Sequence, residues 1–301
     1  MQDIRKILAD VKDTGKKKKM ILDTDTYNEV DDQFALAWAL LSDKVELLSV
    51  NAAPFKNSRS VSPADGMEKS YNEILNIMKL MGKEGAVPVY RGSTEWISDK
   101  SAPIVSDAAK NIVDTVMASD ETVYVVAIGA ITNVASALIM KPEIAEKAVV
   151  VWLGGTAHHW QHSREFNMVQ DVKSSQVVMD SGIPFIQIPC AGVCDHLLTT
   201  VPELDYYLSG KSKLCDYLVD IVRSYNANGV PCWSKVIWDI SAIAVLALPS
   251  ALDMAVIPTP ILSDNSTYSF DGARHHMVYV RSLNRDRIFA EIFPILANCK
   301  A

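Results

Sequence analysis

Ile21-Leu22-Asp23-Thr24-Asp25-Thr26-Tyr27-Asn28-Glu29-Val30-Asp31-Asp32-Gln33-Phe34-Ala35-Leu36-Ala37, residues 21–37, decides the fold. An apolar stretch from Met20 ends in acids, and an apolar helical pattern follows. Residues 23–32 hold five acids in ten positions. Asp23 and Asp25 share a strand face, because side chains alternate along a strand. Asp31 and Asp32 open a helix, where the dipole favours anions. Capping alone accounts for two acids at a helix start. Four acids gathered at one strand end repel one another, and a bound cation offsets that repulsion. Oxygen donors with no His or Cys beside them suit Ca2+ or Mg2+.

Working outward, the same strand–helix alternation recurs. Strands are expected at Val45–Val50, Val87–Tyr90, Thr122–Ile128, Val149–Leu153, Ile183–Ile188 and Met277–Arg281. Several are apolar on both faces, as in a sheet covered on both sides. Helices are expected at about 32–42, 61–82, 106–118, 131–140, 172–181, 211–226 and 236–248. The pattern predicts an α/β fold, one domain over 1–301 with a central, mainly parallel (mixed) β-sheet flanked by helices. Residues 1–18 read as an N-terminal extension, with Lys16-Lys17-Lys18-Lys19 as a solvated tether.

Such folds bind ligands outside the carboxyl ends of their strands. Polar groups cluster there: Asn51 to Asn57 after the second strand, Gly129-Ala130-Ile131-Thr132-Asn133 after the fourth, and Gly154-Gly155-Thr156 after the fifth. A loop with His158, His159 and His162 leads on to Glu165-Phe166-Asn167, and Trp238-Asp239 precedes a late apolar helix. Singly these read as caps and tight turns; jointly they describe one crevice.

Composition narrows the function. Of 301 residues, 49% are hydrophobic and 22% charged, an ordinary globular balance. Lys and Arg number 29 against 36 Asp and Glu, a formal charge of -7, which disfavours nucleic acid or an anionic membrane as partner. No apolar run approaches the ~20 residues of a membrane span, and no signal peptide opens the chain. Five scattered cysteines read as free thiols of a reduced, cytoplasmic protein; Cys190 and Cys194 have no second pair to complete a zinc site.

Together these residues resemble the inosine-uridine-preferring nucleoside hydrolase family over roughly residues 19 to 290. The resemblance rests on Asp23-Thr24-Asp25…Asp31-Asp32, Gly129-Ala130-Ile131-Thr132-Asn133, Gly154-Gly155, Glu165-Phe166-Asn167…Asp171 and the late Asp239. It implies Ca2+ held by Asp25, Asp32, Asp239 and the backbone carbonyl of Ile128. It also implies Asp25 as general base toward water, and ribose hydroxyls gripped by Asp31, Asn57, Glu165 and Asn167. Asp23 would orient this set from behind. The substrate implied is a ribonucleoside, cleaved at its N-glycosidic bond to ribose and base, by a homodimer or homotetramer. Four local features depart from the family pattern. Asn28 and Glu29 are inserted between the aspartate pairs. Trp238 stands where a leaving-group His is common, which suggests stacking on a purine. His159 falls at the position of an Asn near the sugar's 5′ end, and Val172 follows Asp171. Trp96 is a further stacking candidate.

Competing readings are a hydrolase of another ribosyl compound and a non-catalytic nucleoside- or sugar-binding relative. Asp23-Thr24-Asp25-Thr26 also fits the nucleophile motif of haloacid dehalogenase-type phosphatases. That chemistry needs a later Gly-Asp metal motif, and the chain has no Gly-Asp dipeptide.

Overall fold

The computed structural model describes residues 2–299. Its strands are β1 (Lys18–Thr24), β2 (Val45–Ala52), β3 (Val89–Arg91), β4 (Val123–Ala127), β5 (Ala148–Leu153), β6 (Phe185–Ile188), β7 (Leu198–Thr199), β8 (Lys235–Val236), β9 (Leu252–Pro258), β10 (Ile261–Leu262), β11 (Tyr268–Ser269) and β12 (His276–Leu283). The α-helices are α1 (Ile4–Lys12), α2 (Asp32–Leu41), α3 (Pro63–Leu80), α4 (Asp107–Ala118), α5 (Thr132–Met140), α6 (Phe166–Gln170), α7 (Val172–Asp180), α8 (Val201–Tyr207), α9 (Lys213–Tyr225), α10 (Ile240–Ala247) and α11 (Arg285–Ala297).

Eight strands form one sheet in the order β3-β2-β1-β4-β5-β6-β12-β9. Neighbours run parallel except β9, which lies antiparallel to β12 at the edge. Alternation sorts each strand's side chains into two layers. Met20, Leu22, Tyr124, Val126, Val149 and Val151 pack in one core with α2, α3 and α10. Ile21, Val123, Val125, Val150 and Trp152 pack in the other with α4, α5 and α7. This is the mixed, helix-covered sheet expected from the apolar strands.

From β1 the chain moves outward to β2 and β3, then crosses to β4 on the other side of β1. The carboxyl ends of β1 and β4 therefore flank a topological switch point, where open α/β sheets bind ligands. Ile128 N donates to Asp23 O at 2.9 Å, locking these two strand ends together.

The second half of the lysine run is not a solvated tether. Lys18 lies in β1, 3% exposed, with Nζ 3.2 Å from Asp10; Lys16 and Lys19 pair with Glu121 at 2.6 and 3.0 Å. Lys18 and Lys19 thus belong to β1, while Lys16 and Lys17 precede it and stay exposed. Upstream, α1 buries Ile7 and Val11 in the core. Among the described residues, no helix is long and apolar enough to cross a membrane.

Candidate functional site

Of the acids quoted first, Asp25, Glu29, Asp31 and Asp32 line a cavity of about 270 Å3. Asp25 sits in the loop after β1, where Gly129 leaves room for it. A Cβ on Gly129 would stand 2.8 Å from Asp25 Cγ. Asp31 and Asp239 occupy the N-cap positions of α2 and α10, yet neither side chain makes a capping hydrogen bond. Both carboxylates turn to the shared cavity instead, which settles the capping reading of these acids. Asp31, Asp32 and Asp239 bring carboxylate oxygens within 4.8 Å of one another. Thr24 Oγ1 donates to Asp32 Oδ1 at 2.5 Å, and Trp238 N to Asp31 Oδ2 at 3.1 Å.

The electrostatics of this group are adverse in the protein alone. Burial pushes the Asp25 carboxyl well above its ordinary value, and Asp32 and Asp31 push it further. Asp239 is raised by burial and by Asp31, Asp32 and Asp25. Burial and Asp31 take Asp32 to about 7; burial takes Asp31 to about 6 against the opposing pull of Lys235. Both Asp25 oxygens and Asp31 Oδ1 are buried without a hydrogen-bond partner. Buried polar oxygens are normally satisfied. A hard divalent cation satisfies such oxygens and reverses the repulsion, so the donor set fits one.

Asp23 lies fully buried behind this group, pushed up to about 7 by burial and held at Oδ1 by Asn133 Nδ2 at 2.8 Å. Asn133 Oδ1 accepts from Ser93 N and Oγ at 2.7 and 2.8 Å, so Asn133 ties the end of β1 to the loop after β3 rather than capping a helix. Thr132, beside it, donates to Asp171 at 2.9 Å.

Across the cavity, Glu165 caps α6. Its carboxylate accepts from Asn167 N at 2.9 Å, Met168 N at 3.2 Å and Gly155 N at 2.7 Å. Gly155 reaches it with φ +80, a conformation that glycine tolerates. Asn167 Nδ2 bridges the carbonyls of Ile128 and Leu153 at 3.1 and 3.0 Å, tying the ends of β4 and β5. A carbonyl has two lone pairs, so Ile128 O retains one acceptor site.

The structure brings Asp25, Asp31, Asp32, Ile128, Glu165, Asn167, Trp238 and Asp239 to one cavity. It does not bring Asn57 or His159 there. Asn57 Nδ2 is committed to Asn28 Oδ1 at 2.6 Å, so the inserted Asn28 takes the position on the wall. His159 is exposed, because its loop turns through Trp160 N donating to Ala157 O at 3.0 Å. Trp160, His162 and Arg164 line the cavity from that loop instead. His158 turns away from the cavity: Nε2 pairs with Gln187 Oε1 at 2.9 Å and the ring packs on Tyr279 and Tyr268. Trp96 does not reach the cavity wall.

Sequence reasoning missed Trp160, Arg164 and Cys190 as cavity residues. Cys190 carried a usable signal, since it follows a strand end on the ligand side. The spacing within the loop gave no comparable signal for Trp160 or Arg164. All five cysteines are free.

Fold and site define a class: an α/β protein with a buried carboxylate cluster, suited to a hard cation, at the switch point of its sheet. A family model described as inosine-uridine preferring nucleoside hydrolase matches residues 20–289. The chain belongs to that family. The pyrimidine-specific ribonucleoside hydrolase RihB of Escherichia coli O9:H4 (strain HS) is 29% identical over 199 residues, 57% of this chain and 59% of that protein. The match thus spans less than two thirds of the length of that curated relative. Among solved structures, a purine-preferring ribonucleoside hydrolase from Gardnerella vaginalis superposes with a TM-score of 0.78, 21% identity, and 94% and 99% of the two chains covered. An inosine-uridine preferring nucleoside hydrolase from Bacillus anthracis gives 0.70, 19%, and 93% and 99%. At these identities the two structures establish the shared fold.

Proposed function

We propose that the protein hydrolyses the N-glycosidic bond of ribonucleosides to ribose and free base, with Ca2+ as its metal. The observation that carries this reading is the convergence of four buried carboxylates, those of Asp25 and Asp31 with unpartnered oxygens, at a cavity that also presents Glu165, Asn167 and Trp238. Asp25, Asp32, Asp239 and the free lone pair of Ile128 O would hold the cation. When bound, such a cation acidifies water and gathers sugar hydroxyls.

Asp25 has both oxygens free, so it takes the proton from the attacking water. Asp31 Oδ1, also free, accepts a ribose hydroxyl. Asn167 is fixed by two strand-end carbonyls and Glu165 by three backbone N–H groups, so both meet the sugar without reorganising. As the glycosidic bond breaks, positive charge grows on the sugar. The surrounding carboxylates stabilise that charge. Trp238 lies half-buried on the wall, where its ring is a platform for a purine. The relatives differ here, one named pyrimidine-specific and one purine-preferring, so the purine preference rests on Trp238. A homodimer or homotetramer belongs to the same reading.

A panel of purine and pyrimidine ribonucleosides, assayed for released ribose with Ca2+ and with chelator, tests the proposal. Calcium-dependent release, faster for inosine and guanosine than for uridine, is the expected result. No release from any nucleoside would overturn the hydrolase reading and leave a binding protein. A second substrate class, a ribosyl compound with an anionic group, is favoured by Arg164, a cation at the cavity wall. Including 5′-nucleotides in the panel separates the two.

A further inference from the structure

Lys235 is the unexplained group beside the site. It lies on β8, and its side chain is 7% exposed. Lysine is almost never buried to this degree without a partner. Its Nζ bonds Glu29 Oε2 and stands 3.9 Å from Asp31 Oδ1. The Tyr225 ring lies 5.4 Å from it. Pairing of β8 with β7, and Ile237 N donating to Leu197 O at 2.9 Å, fix the segment that carries it.

Asp31 is contested. Its carboxylate falls within the 4.8 Å group with Asp32 and Asp239, where a cation would draw it in. Its position on the cavity wall makes it a substrate contact as well. Trp238 N holds Oδ2, and Oδ1 has no hydrogen-bond partner. The ammonium of Lys235 is the positive charge facing Oδ1.

We infer that Lys235 is a positioning residue: it counterbalances the cation's pull on Asp31, keeping Oδ1 available to a sugar hydroxyl. Glu29, inserted between the aspartate pairs, anchors the ammonium in place. The inference rests on the ribonucleoside hydrolase reading and assigns a device within the same site. Its consequence has opposite signs for the two ligands. Without the ammonium, Asp31 moves into the cation's coordination and the site gains one net negative charge. Calcium then binds at least as tightly, while substrate binds more weakly. A merely structural role would weaken both.

The test uses the full chain stripped of metal by chelator, as wild type, Lys235→Met and Lys235→Arg. Two quantities are read: the calcium dissociation constant by calorimetry, and KM and kcat for ribose release at saturating calcium. For Lys235→Met the expected result is a KM raised about tenfold or more, in keeping with the loss of one partner of a buried charge pair. The calcium constant should be unchanged or lower. Lys235→Arg keeps the charge and should recover most of the KM. If Lys235→Met does not fold, Lys235→Gln keeps a donor to Glu29 without the charge and carries the same readouts. An unchanged KM, or calcium affinity lost in step with KM, would overturn the inference while leaving the hydrolase reading intact. Absence of ribose release by the wild type would overturn the hydrolase reading and the inference with it.

Discussion

At the scale of single residues, the proposed chemistry divides between Asp25, as base and metal ligand, and Trp238, as platform for the leaving base. Asp25 is buried with two free oxygens, a poor arrangement for stability and a good one for gripping a cation and taking a proton. Asp25→Asn should lower kcat for ribose release by about 10²- to 10⁴-fold, the range set by loss of a general base. Stopped assays with a good nucleoside at saturating calcium measure it. Trp238→Leu removes the aromatic face. Stacking on a base is worth about 1–3 kcal/mol, so kcat/KM for purine nucleosides should fall about tenfold relative to pyrimidine ones. Equal losses for both would mean that Trp238 is a wall rather than a platform. At this scale the chain announced its acids plainly, because five acids in ten residues have few structural excuses. Asn57 and His159 were not legible in the same way. One hydrogen bond to Asn28 and one loop turn at Trp160 decide where they point, and neither is written in local sequence.

Elements hold these residues through a few buried polar struts. Asp171 caps α7 through Ser174 N at 3.0 Å, and Asp171 Oδ2 accepts from Ile97 N at 3.1 Å, Thr132 Oγ1 at 2.9 Å and Ser174 Oγ at 2.6 Å. One side chain thus joins α5, α7 and the loop after β3. Asp171→Ala leaves several buried donors unpaired and should cost about 3 kcal/mol of stability. A urea titration would show this as a lower midpoint at unchanged slope, with the calcium constant little altered. Helix and strand positions around these struts followed from apolar periodicity, so α2, α4, α5 and α7 were expected within a residue or two of where they lie. The misses are α1, α6, α8, α11 and β9, with the two-residue strands β7, β8, β10 and β11. Apolar positions spaced three and four apart were present in α1 at Ile4, Ile7, Leu8 and Val11, and the neighbouring lysines masked them. The edge strand β9 pairs with β12 from outside, a partnership that no local pattern specifies.

Over the whole molecule, the buried carboxylates couple folding to pH and to metal. Burial raises Asp23 and Asp32 to about 7 and Asp31 to about 6, against about 4 for an aspartate in an unfolded chain. Between about pH 4 and 7 the folded state therefore holds more protons than the unfolded one, and stability falls as pH rises through this window. Metal-free protein should melt several degrees lower at pH 7.5 than at pH 5.5. Added calcium, on the proposed reading, replaces the protons and binds only the folded cluster, and should remove most of that difference at pH 7.5. Thermal melts at both pH values, with calcium and with chelator, provide the check. The α/β class and the location of the crevice were legible because doubly covered strands and polar strand ends are sequence patterns. The strand order was not, since it depends on which strand ends meet in space.

Restoring calcium to chelator-stripped protein and following ribose release from inosine bears most directly on the central claim that the carboxylate cluster holds the metal for glycosidic hydrolysis. The account predicts no release in chelator, and a rate that rises with added calcium and saturates at the occupancy calorimetry reports. Full activity in chelator, or calcium bound stoichiometrically with no ribose released, would contradict it.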